Sequence, residues 1–296
     1  MFTLAHLSDP HLAPLPQPAL HELANKRLLG YLNWLRSRKA IHARPVLDDI
    51  VKDMLEQSPD HIAVGGDLVN LALGQEFTNA LAWLDSLGGP ERVSVVPGNH
   101  DAYVPVERDT GLGLWDAYMR SQVERDGFPY LRRFGKVALI GLNTGVPTPP
   151  FFSSGRLDHD QLSALEKLLA ELGANENFRI VLLHHPPLPG LARWRHALRE
   201  ADALRDVLAR AGAELVLYGH THIQAITLLP ARTGDIPVIG APSASSASFA
   251  LDTRSARYNL FRIQRNGDRW HCEMTGRGLR ARGGAVTELE RLVLSG

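Results

Sequence analysis

Five short polar segments constrain this chain more than any other feature, because each one directly follows a short apolar run. They are Ser8-Asp9-Pro10-His11, Gly65-Gly66-Asp67, Gly98-Asn99-His100-Asp101, His184-His185-Pro186-Pro187 and Gly219-His220-Thr221-His222. The preceding apolar runs have the length of buried strands. Because the carboxyl ends of strands in an open α/β sheet lie at one edge, where ligands bind, we expect the five segments to converge on one site.

Apolar runs alternate with helical patterns along most of the chain. The expected strands are Phe2–Leu7, Ile62–Val64, Val93–Val96, Val137–Leu142, Ile180–Leu183 and Leu215–Tyr218, followed by the strand-like pieces Ala225–Leu229, Pro237–Ile239, Tyr258–Gln264 and Trp270–Met274. The expected helices are Pro45–Gln57, Glu76–Leu87, Leu114–Val123, Asp158–Leu172 and Glu200–Ala211. This alternation predicts a layered α/β fold, a single domain over residues 1–296 with a β-rich second half at 223–282.

Residues 14–44, the insertion segment, interrupt this alternation directly after the first strand. Prolines from Pro14 to Pro18 break the chain, and a basic amphipathic helix follows. Its apolar stripe consists of Leu20, Leu23, Ala24, Leu28, Tyr31, Leu32 and Leu35, flanked by Leu29 and Trp34. Residues 20–39 either pack on their own domain or a second copy, or they cover the site as a cap or rest on a membrane. A cap would bring Lys26, Arg27 or Arg36 near an anionic substrate.

Composition excludes several classes of protein. The chain has 296 residues, equal numbers of basic and acidic side chains, and one cysteine, Cys272. A lone cysteine argues against a disulfide scaffold and a zinc ribbon, and the lack of a basic leader argues against a secreted protein. The apolar runs are too short for a membrane-spanning protein. We therefore expect a cytoplasmic protein, with peripheral attachment to the inner membrane face left open. The basic stretches 21–44 and 254–282 indicate an anionic partner or a solvated face.

Seven side chains in the polar segments form a coherent set of metal ligands. They are Asp9, His11, Asp67, Asn99, His184, His220 and His222. Imidazole combined with carboxylate or amide oxygen, without thiolate, suits Mn, Fe or Zn rather than Ca. Seven ligands exceed the needs of one tetrahedral site and suit two divalent ions with one bridging carboxylate. A single histidine is more often structural, but five such segments at strand ends are hard to reconcile with chance.

In this order, the segments resemble the signature of the calcineurin-like metallophosphoesterase superfamily. The resemblance implies a four-layer αββα sandwich with a dinuclear site between its sheets, here with a helical insertion after the first strand. It also implies that Asp9, His11 and His222 hold the first metal ion, that Asn99, His184 and His220 hold the second, and that Asp67 binds both. Within the superfamily, His184-His-Pro-Pro-Leu and Gly219-His-Thr-His look most like the bacterial class III cyclic-nucleotide and glycerophosphodiester phosphodiesterases.

The chemistry expected of such a site is phosphodiester hydrolysis. Two divalent ions clamp the phosphoryl oxygens and generate a hydroxide that attacks phosphorus in line. His100 is the candidate proton donor to the leaving alkoxide, with Asp101 orienting its imidazole, and a purely electrostatic contact of His100 with the phosphate is the alternative. His185 is expected behind the ligands. Substrate choice is expected in residues 14–44, 102–113, 188–196 and 241–257, with Arg193, Arg195, Arg254 and Arg257.

Other functions remain open at this point. In the first alternative, the protein is a phosphodiesterase that acts on a small soluble diester. In the second, it is a pyrophosphohydrolase or diesterase that acts on a lipid-linked substrate such as UDP-2,3-diacylglucosamine and contacts the membrane through residues 20–39. The best-known branch of those lipid hydrolases usually carries Arg where His100 stands. A non-catalytic scaffold is the remote alternative, since scaffold members typically lack ligands and none is missing here. A sequence-specific nucleic acid partner is not expected, because the basic stretches lack interleaved aromatic residues. Homo-oligomerisation stays open.

Overall fold

Two six-stranded sheets form the centre of the protein in a computed structural model that describes residues 1–122, 127–249 and 252–295. The strands are β1 (Phe2–Leu7), β2 (His61–Val64), β3 (Val93–Val95), β4 (Tyr130–Phe134), β5 (Val137–Gly141), β6 (Phe178–Leu182), β7 (Leu215–Tyr218), β8 (Ala225–Leu229), β9 (Ile236–Gly240), β10 (Arg257–Asn266), β11 (Arg269–Gly278) and β12 (Thr287–Ser295). The first sheet has the order β12-β11-β10-β1-β2-β3, and the second has the order β4-β5-β6-β7-β9-β8. Strands β1 to β3 run parallel, as do β5, β6, β7 and β9.

Helices cover the outer faces of the sheets and fill the insertion segment. They are α1 (Arg27–Asn33), α2 (Lys39–Ile41), α3 (Arg44–Glu56), α4 (Gly74–Leu87), α5 (His159–Ala174) and α6 (Ala201–Ala211). A π-helical turn, Trp34–Arg38, joins α1 to α2. Helix α5 begins as the sequence predicts, because the Asp158 side chain accepts a hydrogen bond of 2.7 Å from the Gln161 amide.

Alternating side chains along the strands create the four layers. On β6, Ile180 and Leu182 join the core that also contains Leu4 and Leu7 of β1, whereas the next residue, Val181, packs with α5 and α6. Because a strand presents successive side chains to opposite faces, β6 is buried on both. Each fully buried leucine contributes about 1.5–3 kcal/mol. The predicted αββα sandwich is therefore confirmed; the single domain over 1–296 stays a prediction.

Two strands and one helix differ from the sequence predictions. Strands β4 and β12 were not expected, since both carry charged residues and lie at sheet edges. The helix expected at Leu114–Val123 is wrong: the chain forms 3₁₀ turns over Leu112–Met119, and Val123 lies outside the described residues. The 3₁₀ spacing brings Trp115 and Tyr118 to one buried face. Within the described ranges, every helix falls short of the length and apolar character needed to cross a membrane.

Candidate metal centre

The five polar segments lie at the carboxyl ends of β1, β2, β3, β6 and β7, where the two sheets meet. Backbone hydrogen bonds connect the segments directly. The Asp9 and His11 amides donate to the carbonyls of Gly66 and Asp67 at 3.0 and 3.1 Å, and the Gly219 amide donates to His184 at 3.0 Å. The predicted convergence of the segments is therefore observed.

Five of the seven predicted ligands adopt a left-handed backbone conformation. Their φ angles are 52° for Asp9, 39° for His11, 56° for Asp67, 66° for His220 and 51° for His222. This conformation costs a residue with a side chain roughly 1–2 kcal/mol. Strain of this kind persists only where surrounding structure imposes it, and it clusters at functional sites. Its concentration in the cluster indicates that the loops are shaped to aim these side chains.

The residues predicted for the first metal ion face one another across a small space. His222 Nε2 lies 3.1 Å from Asp9 Oδ1 and 3.3 Å from His11 Nε2. His11 Nε2 lies 3.7 Å from Asp67 Oδ2. Nitrogen and oxygen atoms of Asp9, His11 and Asp67 therefore form a group that could hold a metal ion.

The residues predicted for the second metal ion adjoin the first group through Asp67. His184 Nε2 lies 3.5 Å from Asp67 Oδ2 and 3.2 Å from Asn99 Oδ1. His220 Nδ1 lies 2.7 Å from the same Asn99 oxygen. Asp67 thus stands between His11 and His184, the position that a bridging carboxylate needs.

Backbone carbonyls hold one ring nitrogen of three predicted histidine ligands. Nδ1 of His11 and of His184 pair with the Val69 and Gly65 carbonyls at 3.2 and 2.7 Å, and His220 Nε2 pairs with the His196 carbonyl at 2.8 Å. In each case the other nitrogen points into the cluster. Metal-binding histidines almost always show this arrangement, because the second hydrogen bond fixes ring orientation and tautomer. The seven residues therefore fit divalent ions well.

Burial and neighbouring charges shift the pKa values of these groups. Burial raises the pKa of Asp67, but the charge of His184 and the hydrogen bond from the His100 amide bring it well below its ordinary value. Burial lowers the pKa of His184, but Asp67 and Asp9 outweigh it and raise the pKa to about 9. Burial, followed by Arg38, lowers the pKa of His11 well below its usual range. An ionised carboxylate beside a neutral His11 is a donor pair suited to a cation.

His100 and Asp101 have contacts that differ from those predicted. The role expected for Asp101 in orienting His100 is wrong, because its carboxylate accepts hydrogen bonds of 2.8–3.1 Å from backbone amides of Gly98 and of residues 67–69. Asp101 therefore holds the loop that carries Asp67. The His100 ring pairs through Nδ1 with the Asn70 carbonyl at 2.6 Å, and its Nε2 lies 2.5 Å from Arg38 Nη1. His185 lies behind the ligands as expected, with its ring nitrogens on Thr144 and Ser153.

The insertion segment turns its basic and small residues, rather than its leucines, toward the domain. Lys26, Gly30, Trp34 and Arg38, spaced four apart, face inward. A Cβ on Gly30 would come within 2.6 Å of both Tyr103 Oη and Leu71 Cδ2, so a larger residue here would require these side chains to shift. The expected apolar stripe is exposed, to 45% at Leu28, 54% at Leu32 and 53% at Leu35.

Two residues of the insertion segment reach the cluster, and sequence reasoning missed both. Arg38 Nη2 lies 2.9 Å from His11 Nε2, and His42 is buried against His11, with ring centroids 4.4 Å apart. The basic residues expected there lie elsewhere. Arg27 donates to the Leu71 and Ala72 carbonyls, Lys26 binds Thr148 and Phe152, and Arg36 is exposed. The four-residue spacing of Trp34, Arg38 and His42 was the available signal.

A cleft of about 510 Å³ opens over the cluster. Three arginines from segments expected to select substrate, Arg38, Arg193 and Arg254, line it together with residues of the cluster. The other lining residues are Asp67, Asn99, His100, Ser153, Leu191, Ala192, His196, His220, Thr221, His222 and Ile223. Several arginines of the basic stretch 254–282 pair with acids instead, among them Arg262 with Glu273 and Arg277 with Asp53. The cleft is thus suited to an anionic ligand.

The chain is similar to known phosphoesterases in sequence and in fold. The family model of the calcineurin-like phosphoesterases matches residues 2–224. The chain is 25% identical over 235 residues to the 3',5'-cyclic adenosine monophosphate phosphodiesterase CpdA of Pseudomonas aeruginosa, covering 75% of this chain and 77% of that protein. It is 26% identical over 191 residues to the glycerophosphodiester phosphodiesterase GpdQ of Enterobacter lignolyticus, covering 63% and 57%. A dimetal phosphatase from Danio rerio shares the fold, with a TM-score of 0.67, 16% identity, and coverage of 99% of this chain and 98% of that one.

Proposed function

Because the chain belongs to the calcineurin-like phosphoesterase family, we propose that it hydrolyses a phosphodiester with two bound divalent metal ions. The observation that carries the proposal is the arrangement of His11, His184 and His220, each with one ring nitrogen anchored and the other aimed at a shared group of oxygens. The names of relatives among cyclic-nucleotide and glycerophosphodiester phosphodiesterases support a diester as substrate.

The metal ions would be held by the seven predicted residues. Asp9, His11 and His222 serve the first ion and Asn99, His184 and His220 the second, with Asp67 between them. Nitrogen and oxygen donors without thiolate suit Mn or Fe best, with Zn as the alternative. When bound, such ions polarise the phosphoryl group and activate a water.

Arg38 supplies the positive charge that orients the substrate. Its guanidinium lies between His11 and His100, on the cleft side of the cluster. A guanidinium next to a divalent cation is repelled unless an anion lies between them, and a substrate phosphate is such an anion. Arginine binds phosphate through paired, charge-assisted hydrogen bonds. His100 holds Arg38 in this position through Nε2.

Kinetics on a panel of substrates test this function. The panel contains bis(p-nitrophenyl) phosphate, p-nitrophenyl phosphate, 3',5'- and 2',3'-cyclic AMP, glycerophosphodiesters and UDP-2,3-diacylglucosamine, each with Mn²⁺ in excess. We expect hydrolysis of diesters in preference to p-nitrophenyl phosphate, and its loss in Asp67→Ala. A protein loaded with Mn²⁺ that cleaves none of the diesters would contradict the proposal.

A lipid-linked substrate is a second candidate, favoured by the exposed leucines of the insertion segment. Leu28, Leu32 and Leu35 are about half exposed beside the basic Arg36 and Lys39, and this combination is typical of helices that lie in a membrane interface. The cleft opens next to the same segment through Arg38. An acyl chain could therefore rest on the leucines while its phosphate enters the cleft.

Vesicle binding distinguishes this candidate from a small soluble substrate. The triple substitution of Leu28, Leu32 and Leu35 by Ser should leave hydrolysis of bis(p-nitrophenyl) phosphate unchanged and abolish sedimentation with anionic phosphatidylglycerol vesicles. Leu228→Ser is the control, because Leu228 is also exposed, to 56%, but lies on β8. Equal vesicle binding by both variants and the wild type would refute the lipid candidate.

A further inference from the structure

We propose that His42, the residue following α2, is an additional ligand of the metal ion held by Asp9, His11 and His222. The inference rests on the proposed function, because it adds a ligand to the metal centre proposed there. It also gives the insertion segment a role in metal binding, which the strand-end motifs do not provide.

Proximity is the first support. His11, His42 and His222 each offer one ligand nitrogen, and these three atoms lie within 4.8 Å of one another. The His42 ring centroid is 4.4 Å from that of His11 and 5.7 Å from that of His222. A second such group, formed by Asp9, His11 and Asp67, shares His11 with the first. His42 thus extends the cluster on its first-metal side.

The hydrogen bonds of His42 repeat the pattern of the predicted ligands. Its Nδ1 lies 2.9 Å from Ser245 Oγ, a hydroxyl in place of the backbone carbonyl that the predicted ligands contact. When the neutral ring donates its Nδ1 proton to this hydroxyl, Nε2 keeps a lone pair. The Trp34 ring lies parallel to that of His42, with 5° between the planes and 6.4 Å between the centroids. An anchored first nitrogen, a free second nitrogen and a fixed ring are what a ligating histidine requires.

The backbone around His42 is fixed to the loop beside the first metal position. His42 forms an antiparallel bridge with Ser246, and the Ala43 and Ala247 amides donate to the Ser245 and Ile41 carbonyls at 2.9 and 2.7 Å. From the same loop, Ser243 Oγ donates to the Asp9 carbonyl at 2.6 Å. One loop therefore positions both His42 and Asp9, so the imidazole is in place before a metal ion arrives.

His61 is a matched control elsewhere in the molecule. It is a buried histidine whose ring pairs with a serine, Nε2 with Ser94 Oγ at 2.8 Å, and packs on an aromatic ring, Phe134. Among the described residues, the groups able to hold a metal ion do not include it. His61→Ala therefore reproduces the loss of a buried, hydrogen-bonded imidazole without the loss of a ligand.

Mn²⁺ titration of the metal-depleted full-length protein, followed by electron paramagnetic resonance, tests the inference. The wild type should bind two ions. His42→Ala should weaken Mn²⁺ binding at one of the two sites by about 10–100-fold. Loss of a residue that only hydrogen-bonds a metal ligand already has an effect of that size. His61→Ala should bind both ions as the wild type does. Equal Mn²⁺ affinities in His42→Ala and His61→Ala would overturn the role of His42 but not the presence of two metal ions. A wild type that binds fewer than two ions would overturn the proposed function itself.

A measurement on the wild type keeps the test independent of variant folding. Anomalous diffraction from crystals saturated with Mn²⁺ should place the ion beside Asp9 in direct contact with His42 Nε2. An ion at Asp9 and His222 that His42 does not touch would refute the inference. With His42 the first ion has five protein ligands, more than the four of a tetrahedral zinc site, which favours Mn or Fe over Zn.

Discussion

Individual hydrogen bonds decide what His100 does in the cleft. Its Nδ1 pairs with the Asn70 carbonyl at 2.6 Å and its Nε2 with Arg38 at 2.5 Å. A carbonyl accepts and a guanidinium donates, so the ring carries its proton on Nδ1 and keeps none on Nε2 for a leaving group. This arrangement favours an electrostatic and positioning role for His100 over proton donation.

Substitution of His100 separates these two roles. We expect His100→Ala to lower kcat/KM by similar factors on bis(p-nitrophenyl) phosphate, which has a good leaving group, and on a diester with an alkyl leaving group. Loss of a general acid would instead slow the alkyl ester by about 10²–10⁴-fold more, because only a poor leaving group needs the proton. Metal content, measured in parallel, should stay at the wild-type value.

Arg38 should contribute to substrate binding in a way that a neighbouring arginine does not. A charge-assisted hydrogen bond contributes about 1.5–3 kcal/mol, which corresponds to roughly 10–150-fold in kcat/KM. We expect a loss of that size in Arg38→Ala and none in Arg36→Ala, since Arg36 is exposed on the same π-helical turn. Equal kinetics in the two variants would show that Arg38 does not face the substrate.

The sequence was sufficient to predict which seven strand-end residues lie together, but it did not indicate that Arg38 and His42 join them. The reason is physical. The predicted ligands follow short apolar strands, and the edge of a parallel sheet brings such positions together whatever the conformation of the loops. Arg38 and His42 reach the same place through tertiary packing of an inserted helix. Its inward face was not predicted, because the leucine stripe is a stronger pattern than the spacing of Gly30 and Trp34.

At the scale of the elements, an ion pair fixes α3 against the first sheet. Asp53 of α3 accepts hydrogen bonds of 2.8 and 2.7 Å from the Arg277 guanidinium on β11, and one of 2.6 Å from the Tyr258 hydroxyl on β10. Burial raises the pKa of Asp53, but the bonds from Arg277 and Tyr258 outweigh this and lower it below the ordinary value. The folded state therefore binds the proton of Asp53 less readily than the unfolded chain does.

This shift predicts a pH-dependent contribution to stability. A lowered pKa means that the stabilisation is present above the unfolded pKa of about 3.9 and is lost as the pH falls through the folded value. Asp53→Asn should lower the free energy of unfolding by about 1.5–3 kcal/mol at pH 7, and by less in acid. Asp48→Asn, in an exposed pair on α3, should change it by less than about 0.5 kcal/mol. Urea unfolding at pH 7 and at a series of pH values below about 3.9 measures both. A difference between wild type and Asp53→Asn that stays constant as the pH falls through that range would contradict the role of the ion pair.

Strands with apolar runs were predictable, the edge strand β8 among them, whereas the charged edge strands β4 and β12 were not. The expected bounds of β1, β7 and β8 agree with the structure. Strand β4 contains Arg132, whose guanidinium donates to the Pro90 and Ala117 carbonyls at 2.6 and 2.8 Å. A buried arginine that donates to distant carbonyls gives no apolar signal, and β12 carries Glu288, Glu290 and Arg291 at an open edge. Such strands depend on partners that only the folded chain supplies.

The whole molecule combines a scaffold of two sheets with an inserted helical segment. Two sheets bring strand ends together from opposite sides, so the cluster can span both without a long loop. The insertion segment then closes one side through Arg38 and His42 while its leucines remain outside. The insertion segment thus adds Arg38 and His42 to a cluster otherwise built from strand-end residues, and only the strand-end part was evident from sequence motifs.

Metal occupancy at Asp67 tests the proposed dinuclear centre most directly. Elemental analysis of the Mn²⁺-saturated protein, combined with anomalous diffraction, should find two ions per chain, with one Asp67 carboxylate in contact with both. Asp67→Ala should then bind fewer than two ions and lose diesterase activity, because both sites lose a shared ligand. A well-ordered structure at saturating Mn²⁺ with a single ion, or with two ions held by residues outside the seven-residue cluster and His42, would contradict a dinuclear phosphodiesterase.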